Sequence, residues 1–393
     1  MSDHTPPAGS ISPGRYYLLV AHNANFRRLW MAQIVSELGD WFYAVAIYDL
    51  VFRLTGSAQL VGLVVLLQIL PFFFLGPTAG AVNDRVSRKA VMIAADLTRA
   101  VIVLGLMAVQ SRNQLWLLYV LLAAEISSSA FFEPGRSAVI PNIVPEHDVI
   151  TANALSAATW SFCLAVGAGG GGLVVHFFGR NSAFVLDSLS FLASASLIAR
   201  MRFAEPHTEA HRHLKWLDLL GLGPVVEGIR YVKGDRRLAS LLLVKCGLGL
   251  VGGNLVLLPL LGEREFQVAG TGVLGMSTLM LFRGVGAGIG PVIGGWFAGA
   301  SEARMRRSVL AGFVTLGAFY VLLSRAPSLA LASACLVAAH AGGSVIWVFS
   351  TTLLQLSTED RFRGRIFAAD FSFNMLSAAL SAYLMGVALD HWL

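Results

Sequence analysis

The sequence predicts an all-α membrane protein with eleven visible transmembrane helices. Only 13% of the 393 residues are charged and 56% are hydrophobic, whereas soluble domains carry about 25% charged residues. A soluble protein with so few charges could not cover its own surface. Apolar runs of the ~20 residues needed to cross hydrocarbon recur along the whole chain. We place the spans at residues 29–52, 58–82, 90–110, 115–135, 149–177, 181–199, 238–261, 270–299, 307–324, 328–351 and 366–390.

The segments between these spans define the domain organisation. Residues 1–25 are polar and rich in Pro, Gly and Ser, which predicts a flexible tail. A long polar stretch at 201–237 separates a first six-helix bundle, residues 26–200, from a second bundle, residues 238–393, in which five spans are visible. Within that stretch, residues 214–232 have apolar positions at helical spacing and basic residues at the end, which predicts an amphipathic helix on the membrane surface.

The distribution of Lys and Arg predicts the orientation. Twenty-one of them fall in the tail, the central stretch and the loops on that side, and five fall in the loops on the other side. Because the positive excess faces the cytoplasm, we expect a multi-pass protein of a bacterial inner (plasma) membrane with a cytoplasmic N-terminus. The net charge of +6 follows this topology, so we do not expect a nucleic-acid partner.

An internal repeat supports the two-bundle division. Spans 2, 5, 8 and 11 each end in small residues, at 76–80, 167–172, 290–295 and 386–388. The first two signatures lie 92 residues apart and the last two 93. Three-span units repeated four times are typical of two-half transporters. This layout predicts a twelfth span that the chain does not show.

The loop after span 2 carries the most informative motif, Gly80-Ala-Val-Asn-Asp84-Arg85-Val-Ser87-Arg88-Lys89. It resembles the Gly-x-x-x-Asp-Arg-x-Gly-Arg-Arg/Lys loop of the major facilitator superfamily, with Ser87 in place of the second glycine. The resemblance implies the major facilitator fold of two six-helix bundles. It also implies that this loop latches the two halves in the outward-open state, together with Glu133 and Arg136 at the end of span 4.

Further segments resemble the branch of that family that contains the enterobactin exporter and macrolide-efflux proteins. Among them are Phe26-Arg-Arg-Leu-Trp30, Asp96-Leu-Thr-Arg99-Ala100, Phe131-Phe-Glu-Pro134-Gly-Arg136 and Ala152-Asn-Ala-Leu155. The resemblance implies proton-coupled antiport of a medium-sized organic molecule, such as a siderophore or a drug, by a monomer. Ala168 stands where antiporters of the family have a proline in span 5, and the loop at 299–307 is only a degenerate copy of the latch.

Ionisable residues inside the spans are the candidate functional residues, because each costs at least a few kcal/mol in hydrocarbon without a partner, a wet cavity or a function. In the family fold, spans 1, 4, 7 and 10 line the central cavity. Polar candidates there are Glu37, Asp40, Glu125, Lys245, Asn254 and His340. We expect Asp40 and Glu125 to be the sites that bind protons, with Lys245 and His340 shaping the charge of the cavity.

Structural roles compete with these assignments. Glu37 or Asp40 could pair with Arg99 or Lys245 as a structural bridge, and His340 could be a hydrogen-bonded packing residue. Residues Asp187, Arg283 and Asp370 lie outside the four cavity helices, so structural pairing is expected for them.

Two other functions remain open. A lysophospholipid or lipid flippase would share the fold, and a membrane sensor would need no substrate path. An intramembrane enzyme is not expected, because His-Glu-x-x-His, Gly-x-Ser-x-Gly and metal-spaced sets of carboxylates and His are absent. The chain has no nucleotide-binding loop and no Cys-x-x-Cys motif, and its three cysteines lie in different spans. We therefore expect neither a cofactor nor a metal.

Overall fold

The computed structural model describes residues 13–205, 236–298, 301–358 and 360–392. All regular elements in these ranges are helices. They are α1 (Pro13–His22), α2 (Ala24–Thr55), α3 (Ala58–Asn83), α4 (Arg88–Gly105), α5 (Leu115–Ile143), α6 (Val149–Phe178), α7 (Arg180–Ala199), α8 (Arg236–Gly249), α9 (Asn254–Arg264), α10 (Gly272–Ala298), α11 (Glu302–Leu323), α12 (Leu329–Ser357) and α13 (Asp360–Trp392). Helices α8 and α9 form one span with a 3-10 turn at Leu250–Gly253.

The number of spans differs from the expected eleven. Ten helical segments of the described chain are long and apolar enough to cross a membrane, and α2 is not among them. Its 32 residues extend over about 48 Å at 1.5 Å per residue, which exceeds the roughly 30 Å of hydrocarbon. The acidic residues Glu37, Asp40 and Asp49 interrupt its apolar sequence. The difference therefore lies in the composition of this helix, which also carries two of the candidate functional residues, Glu37 and Asp40.

The segment expected to be a flexible tail is partly helical. Residues 13–22 form α1, and the Arg15 guanidinium lies 3.0 Å from the Asp148 carboxylate. Between α1 and α2, the Asn23 side chain accepts a hydrogen bond from the Phe26 amide and donates one to the Ile143 carbonyl. The first twelve residues and the amphipathic helix expected at 214–232 lie outside the described residues.

The helices form two bundles that meet along four of them. Helix α2 packs on α6 and α7 in the first bundle, and α12 packs on α10 and α11 in the second. The main contacts between the bundles pair α3 with α13 and α6 with α10. These are the four helices that carry the small-residue signatures. In lipid, helices associate by close packing instead of by the hydrophobic effect, and small side chains let their backbones approach. A Cβ on Gly62 would lie 2.9 Å from the Ala382 carbonyl oxygen, and a Cβ on Gly284 would lie 2.7 Å from Ala165.

The two ends of the molecule differ in how the bundles pack. We call the end with the loop 84–87 and the segment 200–205 the basic end, and the end with the loops 56–57 and 265–271 the opposite end. Towards the opposite end, one hydrophobic cluster joins residues of both bundles, including Val51 and Val61 with Met276 and Ala382. Towards the basic end, the clusters of the described residues each belong to a single bundle.

The glycines of the interface show the same gradient. Gly169 and Gly284 have close neighbours across the α6–α10 contact, whereas a Cβ on Gly288 would lie 3.8 Å from Ser161. Nearer the basic end, a Cβ on Gly80 or Gly295 would meet no atom of the described structure within 4 Å. The bundles are therefore held together most tightly at the opposite end.

A carboxylate from the second bundle caps a helix of the first at that opposite end. The Asp390 carboxylate in the last turn of α13 accepts hydrogen bonds from the Ala58 amide at 2.7 Å, the Gln59 amide at 3.0 Å and the Ser57 hydroxyl. Nearby, the Gln59 side chain donates to the Tyr383 hydroxyl at 3.2 Å. A negative group at the N-terminus of α3 satisfies its free amides and complements the helix dipole.

The Asp390 contact makes a prediction about how the ends open. In a protein whose native cysteines are replaced by Ala, Ser277→Cys places a thiol in the buried contact between α6 and α10. Adding Asp390→Ala removes the cap of α3, so we expect this end to open more often and the thiol to react severalfold faster with a membrane-impermeant maleimide. The matched control is Glu265→Ala, which removes an exposed carboxylate at the same end. Equal reaction rates in the two variants would show that Asp390 does not hold this end closed.

Candidate functional site

Arg99 of α4 lies at the centre of a buried ionic cluster in the first bundle. Its Nη2 atom is 2.6 Å from Asp40 Oδ1 on α2, and its Nε atom is 2.7 Å from Glu125 Oε1 on α5. The guanidinium also lies over the ring of Phe191 on α7, 3.9 Å from the ring centroid. One side chain thus connects four helices, and charge-assisted hydrogen bonds of this kind are the strong ones in proteins.

Two more carboxyl groups face the same guanidinium. Asp96 Oδ1 lies 3.8 Å from Arg99 Nη1, and Asp187 interacts electrostatically with Arg99 while accepting a hydrogen bond from the Ser190 hydroxyl at 3.3 Å. Both are fully buried. Four carboxyl groups therefore share one cation, which cannot neutralise them all.

The members of this cluster differ in access. The side chains of Arg99 and Glu125 are 4% and 2% exposed, whereas that of Asp40 is 37% exposed. Asp40 is therefore the carboxyl group through which solutes or protons could reach the others. One turn towards the basic end, Glu37 accepts a hydrogen bond from Gln33 at 2.8 Å, and its Oε2 atom is enclosed without a hydrogen-bond partner.

Lys245 is not part of this cluster. Its Nζ atom lies 2.6 Å from Asp370 Oδ2 on α13, and both side chains are 3% exposed. The ammonium also lies over the ring of Trp347, 4.0 Å from the centroid. The structural pairing expected for Asp370 is thus confirmed, and its partner is a residue that the sequence had assigned to the cavity.

Asn254 and His340 belong to a third group, in the second bundle. The Tyr320 hydroxyl lies 3.0 Å from Nε2 of His340, and Asn254 is next to the same phenol. Arg283 of α10 acts electrostatically on His340, and its Nε and Nη1 atoms are enclosed without a hydrogen-bond partner. No described Asp or Glu acts on Arg283, so the structural pairing expected for it is not seen in the described chain.

The residues expected to form the latch contact one another within the first bundle. Arg88 lies 3.7 Å from Asp84 and donates to the Ala138 carbonyl at 2.9 Å, and Arg136 pairs with Glu133 at 2.8 Å. The remaining latch positions are Gly80, Arg85 and Lys89. The Gly80 carbonyl accepts a hydrogen bond from the Asp84 amide, and the Arg85 amide donates to the Val82 carbonyl. The Lys89 ammonium donates to the Met201 carbonyl at 2.7 Å.

Glu205, which lies outside the motif, also contacts the latch residues. Glu205 accepts hydrogen bonds from the Ser87 hydroxyl at 2.6 Å and from the Lys89 amide at 3.3 Å, which caps α4. Ser87, the residue that departs from the family motif, also caps α4 itself through the Ala90 amide. The substitution thus keeps the helix start well defined.

The six candidate cavity residues therefore fall into separate groups: Asp40 and Glu125 around Arg99, Glu37 beside them, Lys245 with Asp370, and Asn254 and His340 with Tyr320. Sequence reasoning did not assign Asp96 to the Arg99 group or Tyr48 and Tyr320 to the group around Arg283. It also did not predict that Arg283 has no counter-ion among the described residues. Asp96 could have been found, since it lies three residues before Arg99 on one helix face. The described residues contain no group of His, Cys, Asp and Glu that could hold a metal ion.

Comparison with known proteins identifies the family. The sequence model of the Major Facilitator Superfamily matches residues 29–382. The chain belongs to that superfamily. The resemblance inferred from the loop after span 2 is thereby confirmed, and the protein is a multi-pass membrane protein with the major facilitator fold.

Individual superfamily members are similar over different lengths. The chain is 30% identical over 171 residues to the uncharacterized MFS-type transporter YfiS of Bacillus subtilis, which covers 43% of this chain and 40% of that protein. It is 25% identical to macrolide efflux protein A of Streptococcus pyogenes over 93% of this chain and 91% of that protein. The chain thus spans less than half of YfiS, and efflux-related relatives match it nearly end to end.

Solved structures agree with the fold. The structure of a bacterial homolog of the human lysosomal transporter Spinster, in an inward-facing and unoccupied conformation, has a TM-score of 0.69 and covers 98% of this chain and 84% of that one. The sequences are 14% identical, so this similarity concerns the fold alone.

The Arg99 cluster predicts a large effect on stability. Arg99→Gln leaves buried carboxylates without their cation, which costs about 3–5 kcal/mol where a buried pair is broken. We expect a clear drop in the melting temperature of the purified protein, and no drop for Arg112→Gln, which removes an exposed charge. Adding Asp40→Asn and Glu125→Gln to Arg99→Gln should restore much of the loss, because neutral amides then replace the two carboxylates that are hydrogen-bonded to Arg99. Equal melting temperatures for Arg99→Gln and Arg112→Gln would contradict the central role of this residue.

Proposed function

We propose that the protein is a proton-coupled exporter of a medium-sized organic molecule, working by alternating access across a bacterial inner membrane with its N-terminus in the cytoplasm. The observation that carries this proposal is the imbalance of charge around Arg99, where four carboxyl groups share one guanidinium. The membership in a transporter family and the nearly full-length similarity to a macrolide efflux protein support export of such a molecule.

The geometry supports Asp40 and Glu125 as the groups that exchange protons. A buried carboxylate without a counter-charge is costly, so binding a proton relieves the excess negative charge of the cluster. Asp40 is partly exposed and shares Arg99 with the buried Glu125. A proton that arrives at Asp40 weakens its bond to Arg99 and leaves the guanidinium to Glu125. The protonation state thus changes which of α2 and α5 is held to α4.

The packing gradient supports alternating access. The bundles adhere at the opposite end through the Asp390 cap and the contacts of α6 with α10, while the latch residues at the basic end bond within the first bundle. We assign this arrangement to the state closed towards the outside. Rocking about the interface helices α3, α6, α10 and α13 would close the basic end and open the other.

The coupling role of the cluster makes a prediction about transport. In everted membrane vesicles, the protein should accumulate a macrolide or a siderophore when a proton gradient is imposed, with erythromycin and enterobactin as the first probes. Asp40→Asn and Glu125→Gln should each abolish this accumulation and keep exchange of labelled for unlabelled substrate, since exchange requires no net proton movement. Glu265→Gln is the control that keeps both activities.

Gradient-driven accumulation in both cluster variants would refute proton coupling through these residues. A protein that accepts only lysophospholipids, and moves them without a proton gradient, would instead be a lipid flippase.

For the latch residue Asp84, we predict a change in the reactivity of the Ser277→Cys thiol that is opposite to the change predicted for Asp390→Ala. Asp84 is mostly exposed and pairs with Arg88 within its own loop. If it holds the basic end closed in the other state, Asp84→Ala should favour the state seen here. The thiol of Ser277→Cys should then react more slowly with the maleimide than it does in the parent protein. A faster or unchanged rate would remove the latch role from Asp84.

A further inference from the structure

Arg283 is an intramembrane cation without a counter-ion in the described structure. It lies eleven residues into α10, about 16 Å from the start of that helix at 1.5 Å per residue, which is near the middle of the span. Its Nε and Nη1 atoms are enclosed and have no hydrogen-bond partner. By contrast, Arg99 has Asp40 and Glu125, and Lys245 has Asp370. A cation in hydrocarbon without such a partner is expensive to keep.

The groups around Arg283 are hydrogen-bonding groups without negative charge. The phenols of Tyr48 and Tyr320 act on it electrostatically, and no carboxylate does. Behind them, the Tyr48 hydroxyl donates to Gln68 at 2.7 Å and the Tyr320 hydroxyl lies 3.0 Å from His340. The guanidinium therefore lies near phenols that are themselves hydrogen-bonded to other side chains, and none of the described groups that act on it is an anion.

This group of residues draws on both bundles. Tyr48 lies on α2 and Gln68 on α3, in the first bundle, whereas Arg283, Tyr320 and His340 lie on α10, α11 and α12, in the second. A solute bound here would touch both halves at mid-depth. Its binding would therefore depend on how the halves are placed, as alternating access requires.

We propose that Arg283 binds the anionic group of the transported molecule, a carboxylate or a phosphate, so that the substrate class is an organic anion. This inference rests on the transport function proposed above. A guanidinium presents paired N–H donors that match the two oxygens of a carboxylate. The Tyr320 hydroxyl supplies a further donor when Nε2 of His340 donates to it, whereas the O–H of Tyr48 is already donated to Gln68. The anion would complete the charge balance of the second bundle only while substrate is bound.

Matched fluorescent probes test this proposal on the purified full chain in lipid nanodiscs. Dansyl-phenylalanine carries a carboxylate, and dansyl-phenylalaninamide is its neutral counterpart of nearly equal size. We expect the carboxylate probe to bind about tenfold more tightly or better, as expected for one charge-assisted pair. Arg283→Gln should abolish this preference and Arg283→Lys should keep part of it. Arg325→Gln, which removes an exposed charge, should leave the preference unchanged.

Further arms identify the source of the anion and guard against misfolding. Competition by benzoate but not by lysophosphatidic acid would assign a soluble carboxylate, and the reverse would assign a lipid phosphate. Tyr320→Phe should weaken the carboxylate probe severalfold and leave the amide unchanged, which also shows that the variant is folded. If neither probe binds, if both bind equally, or if the preference survives in Arg283→Gln, the proposal is overturned. It is also overturned if Arg283→Gln weakens both probes equally, as it would if Arg283 pairs with a carboxylate of the other bundle.

Transport assays separate this proposal from the proposed function. A parent protein whose carboxylate preference depends on Arg283, but which accumulates no probe under a proton gradient, would retain the anion site and refute proton-coupled export. A protein that accumulates the amide probe under a proton gradient, with no preference for the carboxylate, would refute the anion site and retain proton-coupled export.

Discussion

The first bundle is organised around the cost of placing charge in the bilayer. Arg99 could not remain buried without carboxylates, and the buried Glu125 could not remain there without a cation. Each requirement fixes the position of a helix, because the bonds at 2.6 and 2.7 Å join α4 to α2 and to α5. Phe191 adds α7 to the same centre. The excess of carboxyl groups over cations makes this centre the proposed site of proton exchange.

The buried charges of the two bundles are unbalanced in opposite directions. The first contains more carboxyl groups than cations around Arg99, and the second contains the neutral pair of Lys245 and Asp370 together with Arg283, which has no counter-ion among the described residues. Protons would reduce the excess negative charge of the first, and an anion would balance the charge of Arg283 in the second. Both imbalances lie near mid-depth, close to helices that meet across the interface. The arrangement therefore places the proposed coupling site and the proposed substrate site on the two bodies that must move.

Much of this could be predicted from the sequence because it depends on local composition. Apolar runs located the spans, small residues at the ends of four spans revealed the repeat, and isolated acidic residues such as Asp40 and Glu125 stood out against apolar surroundings. Partners were harder, because they depend on how helices pack. Lys245 and Asp370 are 125 positions apart, and nothing in either segment indicates the other. The lack of a partner for Arg283 is likewise visible only once its neighbours are placed.

The end at which the bundles adhere could not be predicted from the sequence either. Small residues occur along the interface helices towards both ends, so the pattern itself is compatible with either end being closed. Helix α2 shows a different limitation. Its acidic residues make it less apolar than the other spans, yet one of them, Asp40, bonds it to Arg99 of α4.

The most direct test of the central claim is an infrared titration of the protein in lipid, which follows the C=O stretch of protonated carboxyl groups as the pH is changed. If the Arg99 cluster exchanges protons, a carboxyl band should appear and disappear with pH, and Asp40→Asn or Glu125→Gln should remove or shift it while Glu265→Gln leaves it intact. A spectrum in which no carboxyl band titrates, or in which the titrating band is unaffected by both cluster substitutions, would contradict the account.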